Sequence, residues 1–166
     1  MESKPCSNSR VIKTTLVQPT DTNTHGTLFG GRLLAHIDDV AAIAAIKHAR
    51  KSVVTASTDS VDFLAPVTMG QSIHMEAYVT WTHRTSMEIF VKVITENLMS
   101  GETTVCNTAF LTFVGLDEEG NPSPVPEVYP ETEEEKRLHR SAQDRAEQRR
   151  KRRKQSKEFA KELGIK

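Results

Sequence analysis

The residues of this sequence best suited to chemistry lie in one stretch, Asp21-Thr-Asn-Thr-His-Gly-Thr-Leu-Phe-Gly-Gly31, and in the Asp38-Asp39 pair that follows it. Apolar residues recur at helical spacing just beyond, so Gly30-Gly31 opens a helix. The first amides of a helix have no acceptor within it, and two glycines let another group approach them closely. Those N–H groups, at the positive end of the helix dipole, can polarise a carbonyl oxygen as an oxyanion hole does. Asp38 lies about two turns further in, so carboxylate and oxyanion site should share one face and one end of the helix. It stands beside Ile37 on a side otherwise apolar, while Asp39 is offset by about 100°. A carboxylate so placed suits a general base or a nucleophile. Each feature also has a plainer use. Gly-Gly before a helix often makes only a turn, and an early Asp often serves only the dipole.

Other reactive side chains offer less. His25, His36, His48, His74, His83 and His139 show no metal-ligand spacing, and no metal site is expected. Cys6 and Cys106 lie far apart with no CxxC spacing, and Cys106 falls in an apolar run that reads as core.

The elements that must position the Gly-Gly turn and Asp38 can be read in order. Arg10 to Val17 has the β-branched content of a strand, and residues 1–9 are polar and read as a flexible lead. Leu33, Leu34, Ile37, Val40, Ala41, Ala44 and Ala45 mark one long Ala-rich helix running to about His48 or Arg50. Basic residues at Lys47, Arg50 and Lys51 suit its negative end. Four strand-length runs follow, Val53–Leu64, Gln71–Thr82, Thr85–Glu96 and Thr103–Val114, with a hairpin turn at Asn97–Gly101. Short links between them mean antiparallel pairing. The expected class is α+β, one long helix against a five- to six-stranded antiparallel sheet. Five strands cannot enclose a helix of roughly five turns, so a partner chain should cover what is left.

Charge divides the chain. Lys plus Arg and Asp plus Glu are each 22 of 166 residues, but residues 1–130 carry nine basic and fourteen acidic groups, against thirteen and eight in 131–166. The expected organisation is a domain over 10–120, a Pro-rich linker over 121–130 and a charged helical tail over 131–166. The tail holds six consecutive basic residues, Arg149 to Lys154. It reads as a solvated helix on the outside of an oligomer; its apolar residues Leu138, Phe159, Leu163 and Ile165 are too widely spaced for a coiled-coil seam. No run approaches the ~18 apolar residues of a membrane span, and the N-terminus has no apolar secretory stretch. A cytoplasmic setting is expected. The acidic domain argues against nucleic acid, which only the tail supports.

The combination resembles the hotdog-fold acyl-CoA thioesterases, in pattern nearest the bacterial acyl-CoA hydrolases and the cytosolic long-chain acyl-CoA hydrolase of animals. Asn23-Thr-His-Gly-Thr-Leu-Phe-Gly-Gly31 with Ile37-Asp38-Asp39-Val40-Ala41 carries the resemblance. Thr55 to Pro66, Met69-Gly70, Trp81 to Glu88 and Thr108 to Val114 follow in the family's order, so about residues 10–117 are covered. The resemblance implies a helix wrapped by an antiparallel sheet, a homodimer that joins two sheets, and assembly as a trimer of dimers. It implies acyl-CoA as substrate and active sites at the dimer interface, where one chain supplies the carboxylate and the other the helix-start amides. The catalytic Asp maps to Asp38 and the thioester-polarising turn to Phe29-Gly30-Gly31. The polar position ahead of that turn maps to Thr27, where the animal relatives have Asn. Asn23 either supplies an amide or braces the loop, and bracing is the favoured reading. His25 in the same loop is placed to contact substrate. Phe63 and Pro66 should line the thiol-acyl passage, and Arg84-Thr85-Ser86 should meet the pantetheine and phosphates. Coenzyme A is part of the substrate and a product; no separate cofactor is expected. Two other readings stay open: a hydratase or dehydratase on the same fold, and a non-catalytic module binding acyl-CoA or nucleic acid. His36 stands two residues from Asp38 and so points away from it, which counts against the hydratase.

Overall fold

A computed structural model describes residues 1–164 of the chain. Ile165 therefore lies outside the described residues. The main sheet has five strands, β2 (Val11–Leu16), β3 (Val53–Phe63), β4 (Ser72–His83), β5 (Ser86–Glu96) and β6 (Thr103–Gly115). Every pairing is antiparallel and the spatial order is β2-β4-β5-β6-β3. The β5–β6 turn is held by Asn97, whose side-chain oxygen accepts from the amides of Met99 and Ser100.

Helix α1 (Gly30–Ala49) lies on the inner face of this sheet and buries Leu33, Ile37, Val40, Ala41, Ala44, Ala45, His48 and Ala49. Alanine costs no side-chain entropy and keeps the helix thin, so Met87, Ile89, Leu111 and Phe113 close against it fully buried. The expected single helix on an antiparallel sheet is present, with five strands in the main sheet.

Two parts of the chain depart from expectation. Residues 1–9 do not form a loose lead. Strand β1 (Lys4–Pro5) pairs in parallel with the short β7 (Val128–Tyr129), and a 3-10 turn at Cys6–Ser9 buries both of its end residues. The Ser9 hydroxyl accepts from the Val79 amide at 2.9 Å, so a polar residue is drawn into the core as a backbone partner.

The tail departs further. Its helix α2 (Glu133–Glu162) begins in a capping box: Thr132 accepts from the Glu135 amide, and the Glu135 carboxylate accepts from the Thr132 amide. It then crosses the outer face of the sheet with Ala142 and Ala146 fully covered. It is not merely solvated, because that face presents buried partners for its charges. The Glu88 side chain is wholly buried and takes two hydrogen bonds from Arg145, at 3.0 and 2.7 Å. The Arg145 guanidinium lies 4.2 Å over the Phe110 ring, which packs on Phe90, and Phe90 packs edge-on to Tyr78. α1 and α2 thus sandwich the sheet. No helix among the described residues is long and apolar enough to cross a membrane.

Candidate active site

The loop before α1 is closed on itself. The Asn23 amide nitrogen donates to the Thr27 hydroxyl at 2.9 Å, and its side-chain oxygen accepts from the His25 and Thr27 amides. Main-chain bonds from Asn23 N to Thr27 O and from Gly26 N to Asn23 O complete the turn, with Gly26 at a φ of +74° that suits a residue without Cβ. Asn23 is spent on bracing, and Thr27 is its main partner. The His25 side chain is exposed on the outside of this turn.

Phe29 connects the loop to the helix. Its amide donates to Asp21 O, and its carbonyl accepts from Arg32 and Leu33. Among the described residues, nothing accepts from the amides of Gly30 or Gly31. A Cβ at position 31 would come within 2.6 Å of the exposed Phe29 ring, which would have to shift to admit it. A cavity of about 340 Å³ opens at this helix end and brings together Thr27, Gly30, Phe63 and Pro66. Phe29 and Gly31 border a second hollow on the other side of the turn.

The two aspartates differ in their partners. Asp39 is bound by Lys13 at 2.8 Å, and that hydrogen bond and charge hold its carboxyl below the usual range. Asp38 accepts a 3.0 Å hydrogen bond from the Thr55 hydroxyl on β3 and is otherwise exposed. Thr55 was not singled out from the sequence as a site residue. Its place opposite Phe113 in the β3–β6 register, on the face toward α1, is what brings it to Asp38.

The site residues do not all meet within one chain. Asp38 stands eight residues from Gly30, about 12 Å along the helix axis, too far for both to act on one carbonyl. The expectation that they share one end of the helix is therefore not met. Arg84, Thr85 and Ser86 form the β4–β5 turn, and Ser86 lies in register with Val114, the partner of Val54 near the start of β3. Gly30 lies instead beside Phe63, at the far end of β3. The two groups are separated by roughly 26 Å of strand. Ser86 faces the outer side of the sheet, where it borders a third cavity.

Other nucleophiles are quiet. Burial pushes the Cys6 thiol up to about 12 and the Cys106 thiol up to about 11, so neither supplies thiolate near neutrality. His36 is partly buried, and desolvation lowers its pKa.

A family model described as the thioesterase superfamily matches residues 25–102. An uncharacterised acyl-CoA thioester hydrolase of Bacillus subtilis is 56% identical over 144 residues, covering 87% of this chain and 84% of that one. The acyl-CoA hydrolase of Staphylococcus aureus, solved with butyryl coenzyme A, coenzyme A and coenzyme A disulfide, superposes with a TM-score of 0.94 at 43% identity, over 99% of both chains. The same hydrolase has been solved with an aspartate, a threonine or an asparagine replaced by alanine. An apo-hexameric acyl-CoA thioesterase is similar at a TM-score of 0.90 and 53% identity, over 92% of this chain and 97% of that one.

Proposed function

Because this chain belongs to the acyl-CoA thioester hydrolases of the thioesterase superfamily, we propose a specific route by which its residues hydrolyse acyl-CoA to free fatty acid and coenzyme A. The observation that carries the route is the exposed Asp38 carboxylate, fixed by Thr55 and left unpaired while its neighbour Asp39 is neutralised by Lys13. Asp38 is the general base that takes a proton from water, or the nucleophile that attacks the thioester carbon. In either case the C–S bond breaks, the thiolate leaves and takes a proton, and the added oxygen comes from water. The amides at Gly30 and Gly31 receive the developing oxyanion. The chemistry draws on no metal or separate cofactor.

The distances within one chain call for two chains. Strand β3 is an edge, paired only with β6, and an uncovered 11-residue edge invites pairing. Antiparallel pairing of β3 with the β3 of a second copy, across a two-fold axis, lays the Thr55 end of one strand beside the Phe63 end of the other. Asp38 and Arg84-Thr85-Ser86 of one protomer then approach Gly30, Gly31, Phe29, Phe63 and Pro66 of its partner. Leu34, Ile43 and Ile46 of α1, all more than a third exposed, supply apolar surface for the same contact. A homodimer, assembled further as a trimer of dimers, is the quaternary state this reading requires. Arg84 and the two hydroxyls suit the coenzyme A phosphates, and a cytoplasmic setting suits two free, buried cysteines.

The variants of the S. aureus hydrolase support the assignment by their spacing. In that chain the asparagine precedes the aspartate by 15 residues and the threonine follows it by 17, the separations of Asn23, Asp38 and Thr55 here. Thiol release from a panel of acyl-CoA esters, short to long, tests the route beside the Asp38→Asn protein. Release by the wild type and none by the variant is expected; release by both would overturn the role of Asp38.

A further inference from the structure

Strand β3 holds two more residues than the stretch of β6 opposite it. Thr55 pairs with Phe113 and Ser60 with Phe110, so six residues of β3 face four of β6. The extra two are Ala56 and Asp59, each at a break in the register. Such bulges bend a strand and re-aim its side chains, and they recur next to active sites. Here they decide where Thr55 stands. With the Phe63–Asn107 end of the pairing kept, removing one bulge would set Thr55 opposite Val114, on the outer face. Removing both would set it opposite Gly115, about 7 Å further along β6. Either register loses the hydrogen bond from Thr55 to Asp38.

The second bulge is pinned from the outer side of the sheet. The Asp59 side chain is only 10% exposed, and its carboxylate accepts from Arg149 and Arg152 of α2 at 3.2 and 2.6 Å. It also accepts from the hydroxyls of Ser57 and Thr112. Those two residues are register partners between the bulges, so one carboxylate ties both strands where the ladder is broken. Arg152 donates as well to the Asp59 carbonyl, at 2.9 Å. Among the described residues, Asp59 is the only carboxylate that Arg149 and Arg152 meet. A nearly buried carboxylate stripped of its cations is costly, so α2 and the bulge support each other.

We infer that Asp59 is a positioning residue for the reaction: held by Arg149 and Arg152, it fixes the double bulge that turns Thr55 to Asp38. The inference rests on the reading of Asp38 as base or nucleophile. It gives α2 a share in the chemistry, although that helix lies on the face of the sheet opposite Asp38. The contacts run through the sheet from the two arginines to Asp59, from Asp59 to Ser57 and Thr112, and by the strand register to Thr55. Asp59 makes no contact with Asp38, so its effect passes through Thr55 and should vanish where Thr55 has no hydroxyl.

A double-mutant cycle on the full-length protein tests this. Hydrolysis of an acyl-CoA and of the matching acyl N-acetylcysteamine thioester is measured for wild type, Asp59→Asn, Thr55→Val and the two changes together. Asp59→Asn should lower kcat about tenfold with both substrates, and about twofold or less when Thr55 is already valine. Arg149→Gln with Arg152→Gln, a second way to release the bulge, should reproduce the loss, and the double lysine replacement should recover part of it. Amide hydrogen exchange over 53–63, read well below the unfolding midpoint of each variant, should quicken in Asp59→Asn. Three results would overturn the inference. They are an equal fold-loss with and without the Thr55 hydroxyl, a wild-type kcat in both Asp59→Asn and the double glutamine variant, and a loss confined to acyl-CoA that spares the short thioester. Exchange separates two ways of failing. Unchanged protection of β3 in Asp59→Asn refutes the positioning role by itself, whereas full turnover by Asp38→Asn refutes the reading on which it rests.

Discussion

The hydroxyl of Thr55 holds one oxygen of Asp38 at 3.0 Å and leaves the other free to face water or a carbonyl carbon. A hydrogen bond to a charged group contributes about 1.5–3 kcal/mol, so Thr55→Val should lower kcat roughly 10- to 100-fold if the contact persists in the transition state. Asp39→Asn should leave kcat near wild type, because Asp39 is engaged with Lys13 on another side of the helix. Steady-state kinetics on both variants checks the pair, and a larger loss from Asp39 than from Thr55 would reverse the assignment. Asp38 was legible in the sequence because a carboxylate at a fixed distance beyond a Gly-Gly helix start is a local pattern. Thr55 was not, since its meeting with Asp38 depends on the β3–β6 register, with shifts at Thr55/Ser57 and Thr58/Ser60 that no local pattern encodes. Asn23 was legible as a brace because an Asx side chain closing onto amides two and four residues on is also local.

Elements show the same division. Periodicity located α1 and the five long strands to within a few residues, because each is a continuous run with one buried face. The charged tail reads as a helix, and α2 is one; what its sparse apolar residues conceal is that paired charges anchor it on the sheet instead of leaving it solvated. That anchor is testable. Arg145→Ala would leave Glu88 buried without its cation, which should cost about 3–5 kcal/mol in urea unfolding. Glu88→Gln in the same chain should restore much of that loss; equal loss with and without the second change would mean that packing, not charge, dominates. The other end of α1 carries a pH dependence. Burial holds His48 below its ordinary value of 6.5, although its Nε2 lies 2.8 Å from the Pro126 carbonyl, a contact that opposes the shift. The unfolded chain therefore binds a proton that the folded chain refuses, so stability is full above pH 6.5 and falls as pH drops below it. His36 adds in the same direction. Glu134 and Glu135, also lowered, act only below their ordinary value of 4.5. Unfolding midpoints between pH 7 and 5 should decline less steeply in His48→Gln than in wild type, and an unchanged slope would remove His48 as a cause.

At the scale of the whole molecule the decisive feature is that Asp38 and the Gly30–Gly31 amides, the two halves of the proposed site, lie too far apart within one chain to act together. Gly30→Pro separates the halves genetically. Proline is favoured at the first helical position, and Phe29 already has the extended backbone that a residue before proline needs. The substitution thus removes the Gly30 N–H while sparing the helix, and loss of one oxyanion donor should lower kcat about 10²- to 10³-fold. Co-expressing Gly30→Pro with Asp38→Asn then gives three kinds of dimer. In the mixed one, one site combines both defects and the other combines an intact Asp38 with intact amides. Random pairing makes half the dimers mixed, so turnover should recover to about a quarter of wild type per site. Purification through two different tags, one on each variant, should raise this to about half by selecting mixed dimers. If carboxylate and amides act within a single chain, no mixture of these two variants can recover activity, because neither chain is intact. Recovery would therefore establish the shared site and the β3-edge dimer as one fact, since only a partner laid antiparallel along that edge brings the Thr55 end of one chain to the Phe63 end of the other.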